Sequence, residues 1–146
     1  MICFPDVNVW IALAVAEHAH HAAARKWFDG HEGSMIAFCR VTGMGLLRLL
    51  TNPHVMGGDV LTSAQAWKVL DSFRQDSRIV FSSEPPELES HWRHLSGKGV
   101  SGPNHWTDAY LAAFAIASNY TLVTLDRALS RRKEAARHVL LLLPDA

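Results

Sequence analysis

Short apolar runs alternate along this chain with longer segments whose apolar residues recur at helical intervals. Ile2-Cys3-Phe4, Met35 to Cys39, Ile79-Val80-Phe81, Thr121-Leu122-Val123 and Val139 to Leu143 have the length and make-up of buried strands. Between them, Val9 to Leu13, then Ala24, Trp27 and Phe28, then Leu46, Leu47, Leu49 and Leu50, then Ala66, Trp67, Leu70 and Phe73, and finally Leu88, Trp92 and Leu95 fall at helical spacing. Trp10, Trp27, Trp67 and Trp92 are therefore expected in the core. Helix signals agree with these limits: Asn8 opens the first helix, Thr62 caps a later one, the Thr51-Asn52-Pro53 turn stops the helix from Val41, and Asn119 ends the helix that begins near Trp106. Pro53 to Leu61 reads as a Gly-rich loop, Pro85 to Leu95 as a helix, and Gly97 to His105 as an irregular segment bordering or covering a cleft. Helices alternating with short strands predict a three-layer α/β/α sandwich with a mainly parallel sheet, in one domain over residues 1–146.

Composition narrows this picture only slightly. Nearly half of the 146 residues are hydrophobic (49%) and 19% are charged, which suits a globular domain with a real core. The formal net charge is zero, so a nucleic-acid partner would need a local basic patch. Cys3 and Cys39 lie in strand-like runs and are expected to be buried and reduced. The apolar stretch from Val7 to Ala16 follows Asp6, with no Lys or Arg before Arg25, which is unlike a signal peptide. No run reaches the length of a membrane span. A cytoplasmic location without membrane contact is the expectation.

Candidate chemistry centres on Trp106 to Leu129. Asp108 falls in the first turn of a helix, where free N–H groups favour a carboxylate, and Asp126 follows a strand. Asp6 follows the first strand in the same way. In a parallel sheet these places share one edge, the edge at which ligands bind. Clustered carboxylates repel and call for a cation. Mg²⁺ or Mn²⁺ fits, since such ions take a few carboxylates and keep several waters. One ion activates a water and neutralises a phosphoryl oxygen, and two, roughly 3.5–4 Å apart, clamp the attacking and leaving oxygens. Asn8 and Thr124 are candidates to orient these carboxylates or bound waters. The plainer alternative is that the three aspartates are helix caps or turn residues. No GxSxG, Walker A, GxGxxG or HExxH motif is present. His18, His20 and His21, and the pair His91 and His94, match no zinc spacing and read as surface positions.

Four segments carry a resemblance: Asp6-Val7-Asn8-Val9-Trp10; Val41-Thr42 with Leu46-Leu47-Arg48-Leu49-Leu50-Thr51-Asn52-Pro53; Trp106-Thr107-Asp108-Ala109-Tyr110-Leu111-Ala112-Ala113; and Val123-Thr124-Leu125-Asp126-Arg127. In this order they resemble the PIN-domain ribonucleases, and more narrowly the VapC toxins of type II toxin–antitoxin systems. The resemblance implies a PIN-like fold and a Mg²⁺- or Mn²⁺-dependent endoribonuclease acting on structured RNA, either tRNA or rRNA. It also implies a homodimer and a cognate VapB-type antitoxin. Asp6, Asp108 and Asp126 match three acidic positions of the family site, and Asn8 and Thr124 match its small polar positions. The family's glutamate on the helix from Val41 to Leu50 has no counterpart, because Thr42-Gly43-Met44-Gly45 stands there, and Ala128-Leu129 replaces an aromatic residue after the last aspartate. Losing one acid weakens metal binding, most of all for a second ion. On this reading Asp6, Asp108 and Asp126 are catalytic and metal-binding, and Arg40, Arg48, Arg127, Arg131 and Arg132 form a rim for the RNA backbone. A catalytically weak PIN-fold RNA- or antitoxin-binding module is the alternative, and a phosphotransfer protein of doubly wound fold is a third reading.

Overall fold

Five parallel strands in the order β3-β2-β1-β4-β5 form the sheet of the computed structural model, which describes residues 1–99, 102–132 and 134–142. The strands are β1 (Ile2–Pro5), β2 (Met35–Phe38), β3 (Ile79–Phe81), β4 (Thr121–Thr124) and β5 (Val139–Leu141). The helices are α1 (Val7–Ala14), α2 (His21–Asp29), α3 (Arg40–Leu50), the single turn α4 (Pro53–Met56), α5 (Ser63–Arg74), α6 (Leu88–Ser96), α7 (His105–Ser118) and the single turn α8 (Arg127–Ser130). Strand order first runs outward from β1 to β3, then returns to the other side of β1 for β4. The reversal leaves a switch point between β1 and β4, where the connections leaving the two strand ends diverge and open a crevice. Among the described residues no helix is long and apolar enough to cross a membrane.

Alternation along the strands divides the core. Ile36, Phe38 and Val123 face α1, α2, α3 and α5, where Trp10, Leu46 and Leu70 meet them. Phe4, Ala37 and Leu122 face α6 and α7, and Phe4 stacks on Phe114 with ring centroids 4.7 Å apart. Every residue of α7 from Ala109 to Ala115 is buried, so its small side chains let it lie directly on the sheet. Thr62 and Gln65 form a reciprocal capping box on α5, and Asn119 ends α7 in the left-handed conformation at φ 55°. The β3 side is tied down by Arg78, whose guanidinium donates to the Asp76 carboxylate and the carbonyls of Phe28 and His31 and lies over the Phe28 ring.

Several sequence expectations are corrected here. Trp67 is 48% exposed, because the apolar stripe of α5 buries Ala66 and Leu70 and turns the adjacent residue outward. Trp92 is only half-buried. Asp6 is the N-cap of α1, so Asn8 lies inside the helix. Part of the Gly-rich stretch after Asn52 is helical, since Asn52 caps α4 and a 3-10 turn follows over Gly57–Asp59. Pro85-Pro86-Glu87 precede α6 instead of opening it. Arg131 closes α8, so Arg131 and Arg132 stand at and beyond its end, while Leu143, the end of the last apolar run, lies outside the described residues.

Candidate active site

The switch point gathers three aspartates from three different contexts. Asp6 continues β1, its N–H donating to the Val123 carbonyl at 2.9 Å. Its carboxylate then turns to cap α1, with Oδ1 accepting from the Val9 N–H at 3.0 Å. Thr124, fully buried at the end of β4, donates its hydroxyl to Oδ2 of Asp6 at 2.5 Å and accepts from the Asp126 N–H at 3.0 Å. One hydroxyl therefore ties the first aspartate to the backbone of the last. Asp126 caps α8 through the Ala128 N–H at 2.9 Å, and Asp108 stands in the first turn of α7. Capping and site formation coincide here, since a cap occupies part of a carboxylate and leaves other lone pairs available. Asp6, Asp108 and Asp126 line one cleft of about 350 Å³, together with Asn8, Met44, Arg48, Asn104 and Thr107.

Electrostatics in this cleft are unfavourable to its own anions. Burial pushes Asp6 up to about 6, and the charges of Asp108 and Asp126 push the same way, against the hydrogen bonds from Thr124 and Val9. Asp108 is also raised, first by burial and then by Asp126, with Arg132 and His105 opposing. Of the five arginines considered above, Arg48 lines the cleft. Arg132 lies within electrostatic reach of Asp108. Arg127 and Arg131 are exposed beside Asp126, and Arg40 stands over the Phe81 ring at the edge of the sheet.

The wall opposite the carboxylates is α3. A Cβ on Gly45 would stand 2.6 Å from a methyl of Val7, so only glycine lets α3 cross α1 this closely. Thr42 is buried, with its hydroxyl engaged by Cys39, and a Cβ on Gly43 would point at Phe38. Met44 alone of Thr42-Gly43-Met44-Gly45 presents a side chain to the cleft. Met44, Asn104 and Thr107 are site-lining residues that sequence motifs did not single out. Two glycines inside a helix are costly and hint at a close crossing, which was the available signal. Other candidates fall away from the cleft. His18 accepts from the His20 N–H, and the ring of His21 donates to the Ala12 carbonyl. Cys3 and Cys39 are buried, and burial raises both thiols.

An all-oxygen set of carboxylates, with Asn and Thr beside it, suits a hard divalent cation. Among the described residues no three Asp, Glu, His or Cys side chains stand close enough to enclose an ion by themselves. The fit is thus to an ion held by one or two carboxylates, with water completing its shell.

Sequence comparison decides the family. The PIN-domain profile matches residues 3–135. The chain is 44% identical over 131 residues to ribonuclease VapC41 of Mycobacterium tuberculosis, covering 86% of this chain and 90% of that one. The chain belongs to the VapC family of PIN-domain ribonucleases. Its fold also matches VapBC2 of Rickettsia felis, crystallised on a promoter DNA fragment, with TM-score 0.70 at 18% identity over 97% of this chain and 98% of the other. It matches VapC20 of Mycobacterium tuberculosis, described as a sarcin–ricin-loop-cleaving toxin, with TM-score 0.65 at 16% identity over 90% and 95%. Within this family the chain is a ribonuclease toxin whose α3 shows Met44 to the cleft where an acid was expected.

Proposed function

We propose that this VapC-family ribonuclease is a divalent-metal-dependent endonuclease that cuts structured RNA, tRNA or rRNA, with Asp6, Asp108 and Asp126 as its catalytic and metal-binding residues, one or two of them holding the ion directly and the rest acting through its bound water. The observation that carries the reading is the convergence of these carboxylates on one cleft at the switch point, where among the described residues Arg48 is the one cation in the lining. When bound there, Mg²⁺ or Mn²⁺ supplies a Lewis acid that offsets phosphoryl charge and makes water a better nucleophile. Thr124 fixes the Asp6 carboxylate through its hydroxyl, and the Val9 N–H fixes the other oxygen, so that Asp6 cannot swing away. Asp126 orients the attacking water, with its backbone anchored on Thr124. Asn8, exposed on the first turn of α1, is placed to hold a water or a ribose hydroxyl. Arg48, Arg127, Arg131 and Arg132, with Arg40 further along the edge, receive the RNA backbone.

The resemblance to toxins of toxin–antitoxin pairs supports a VapB-type antitoxin as regulator, a homodimer as working unit and action in the cytoplasm, with residues 1–146 serving as one PIN-like domain. VapBC2 is itself a toxin–antitoxin assembly. Met44 in the wall of the cleft favours a second reading, an RNA- or antitoxin-binding module with little catalysis. Incubation of total RNA with Mn²⁺, Mg²⁺ or EDTA, beside Asp108→Asn, separates the two. Discrete metal-dependent fragments that vanish in the variant are expected; intact RNA at every metal concentration, with RNA still bound in EDTA, would favour the module.

A further inference from the structure

Across the cleft from the three aspartates, α3 presents Val41, Met44, Gly45, Arg48 and Leu49. Arg48 is the one charged residue of that wall, a turn beyond Met44 on the same helix. It is exposed and joins no ion pair among the described residues. A solvated arginine on a helix is ordinary, but one that faces three carboxylates and pairs with none of them calls for a reason. Arg132, by contrast, acts on Asp108 directly. The acids are tied to their own wall, Asp6 by Thr124 and the Val9 N–H, Asp126 by the Ala128 N–H. The opposite wall is fixed by the close crossing of Gly45 on Val7. The two signs of charge are thus held apart across about 350 Å³, a volume in the range of small-ligand sites, about 300–1,000 Å³. Between them is room for an anion that meets a cation on the acidic side and the guanidinium on the other.

We propose that Arg48 is a catalytic residue: its guanidinium donates to a non-bridging oxygen of the scissile phosphodiester, from the side opposite the aspartates. The inference rests on the endoribonuclease reading above and sets Arg48 apart from the rim arginines, which meet phosphates elsewhere along the strand. In the hydrolysis, the water oxygen bonds to phosphorus while the bond from phosphorus to one ribose oxygen breaks. One water proton passes, through a cleft carboxylate or solvent, to the departing ribose oxygen, and the other leaves with the new phosphate end. Arg48 itself transfers no proton, because a guanidinium stays charged. Its part is electrostatic. Negative charge gathers on the phosphate and departing oxygens, and the cleft carboxylates already offset much of the charge of any divalent cation they hold. The guanidinium supplies positive charge that no carboxylate opposes, and its planar fork matches two phosphate oxygens at once, as an ammonium does not.

The test is single-turnover cleavage, with Mn²⁺, of a fluorescein-labelled RNA spanning a site that wild type cuts in total RNA. Arg48→Ala should lower the rate at saturating enzyme about 10²–10³-fold, as loss of one preorganised donor does. Arg48→Lys should recover part of that loss, since it returns the charge without the fork. Guanidinium ion added below denaturing concentrations should partly rescue Arg48→Ala and leave Asp108→Asn inactive. Two readouts are independent of cleavage. Binding of the same RNA by anisotropy in EDTA should weaken only severalfold in Arg48→Ala, and its Mn²⁺ isotherm by calorimetry should not weaken. If Arg48→Ala cleaves within about threefold of wild type once saturated, with only its KM raised, Arg48 is a rim residue; the inference fails and the endoribonuclease reading stands. A loss that guanidinium does not relieve, accompanied by a lower Tm or weaker Mn²⁺ binding, would make Arg48 structural and overturn the inference equally. If wild type cuts no RNA at all, both fall together.

Discussion

Asp76 and Asp6 are the same side chain in opposite electrostatic settings. Asp76 has a dedicated cation: Arg78 donates to both of its oxygens, and these hydrogen bonds first, then the charge, hold it down at about 2. Asp6 is more deeply buried, and the charges that act on it are those of two other carboxylates, Asp108 and Asp126. Two hydrogen bonds reach it, yet burial and the two other aspartates still raise it to about 6. A sequence under pressure for stability alone pairs its acids with cations, as the β3 side does even for the half-exposed Asp76. Leaving one unpaired beside two more marks a place where stability is given up for function.

Asp6→Asn has the largest expected effect. Removing this carboxylate should lower RNA cleavage by roughly 10³-fold, as loss of a preorganised electrostatic group does. The same substitution should stabilise the metal-free protein. The folded state holds the Asp6 proton more tightly than the unfolded chain, whose aspartates titrate near 3.9, so this group's contribution to stability is full below about pH 4 and is lost as pH rises through about 6. About two pH units at 1.36 kcal/mol each give up to about 3 kcal/mol of relief above pH 7. Urea melts at pH 7.5 should show the variant more stable, with the gap closing toward pH 4. An Asp6→Asn protein no more stable at pH 7.5 would mean that the cleft bears no such cost.

Arg78→Ala is the mirror experiment. It strands Asp76 and removes donors from the Phe28 and His31 carbonyls, together with the contact over Phe28. A loss of about 2–3 kcal/mol is expected in denaturant melts, with cleavage per folded molecule unchanged. Thr124→Val acts between the two extremes. It deletes the hydroxyl that serves both Asp6 and the Asp126 N–H, which should cost cleavage about 10–100-fold and move the acid limb of the pH–rate profile upward. An unshifted profile would show that the hydroxyl only fills space.

Much of this contrast was legible in the residues. The strand–aspartate junctions at Phe4-Pro5-Asp6 and Thr124-Leu125-Asp126 set two of the three acids at strand ends, because parallel strands buried on both faces read as plain apolar runs. Asp108 in a first turn is equally local. Trp67 escaped because helical spacing reports a stripe and not its margins: Ala66 and Leu70 take the core, and the residue beside Ala66 turns outward. Arg78 escaped because its partners Phe28 and His31 lie far off in sequence, and no local rule connects them. The role of Gly45 needed the crossing of α3 over α1, which is a tertiary fact.

Met44→Glu has the smallest expected effect, and in the opposite direction. Met44 is 48% exposed and lines the same cleft as the three aspartates, so a glutamate there adds a fourth carboxylate without burying it. Without metal it should destabilise the fold by less than about 1 kcal/mol, since repulsion at an exposed position is screened. With Mn²⁺ the sign should reverse, because affinity for hard cations rises with the number of ligand charges. A severalfold to about tenfold tighter Mn²⁺ isotherm by calorimetry is expected, together with a metal-induced rise in Tm larger than that of wild type. If affinity is unchanged, α3 holds that side chain clear of the cation, and Met44 belongs to the RNA wall of the cleft and not to its metal-binding side.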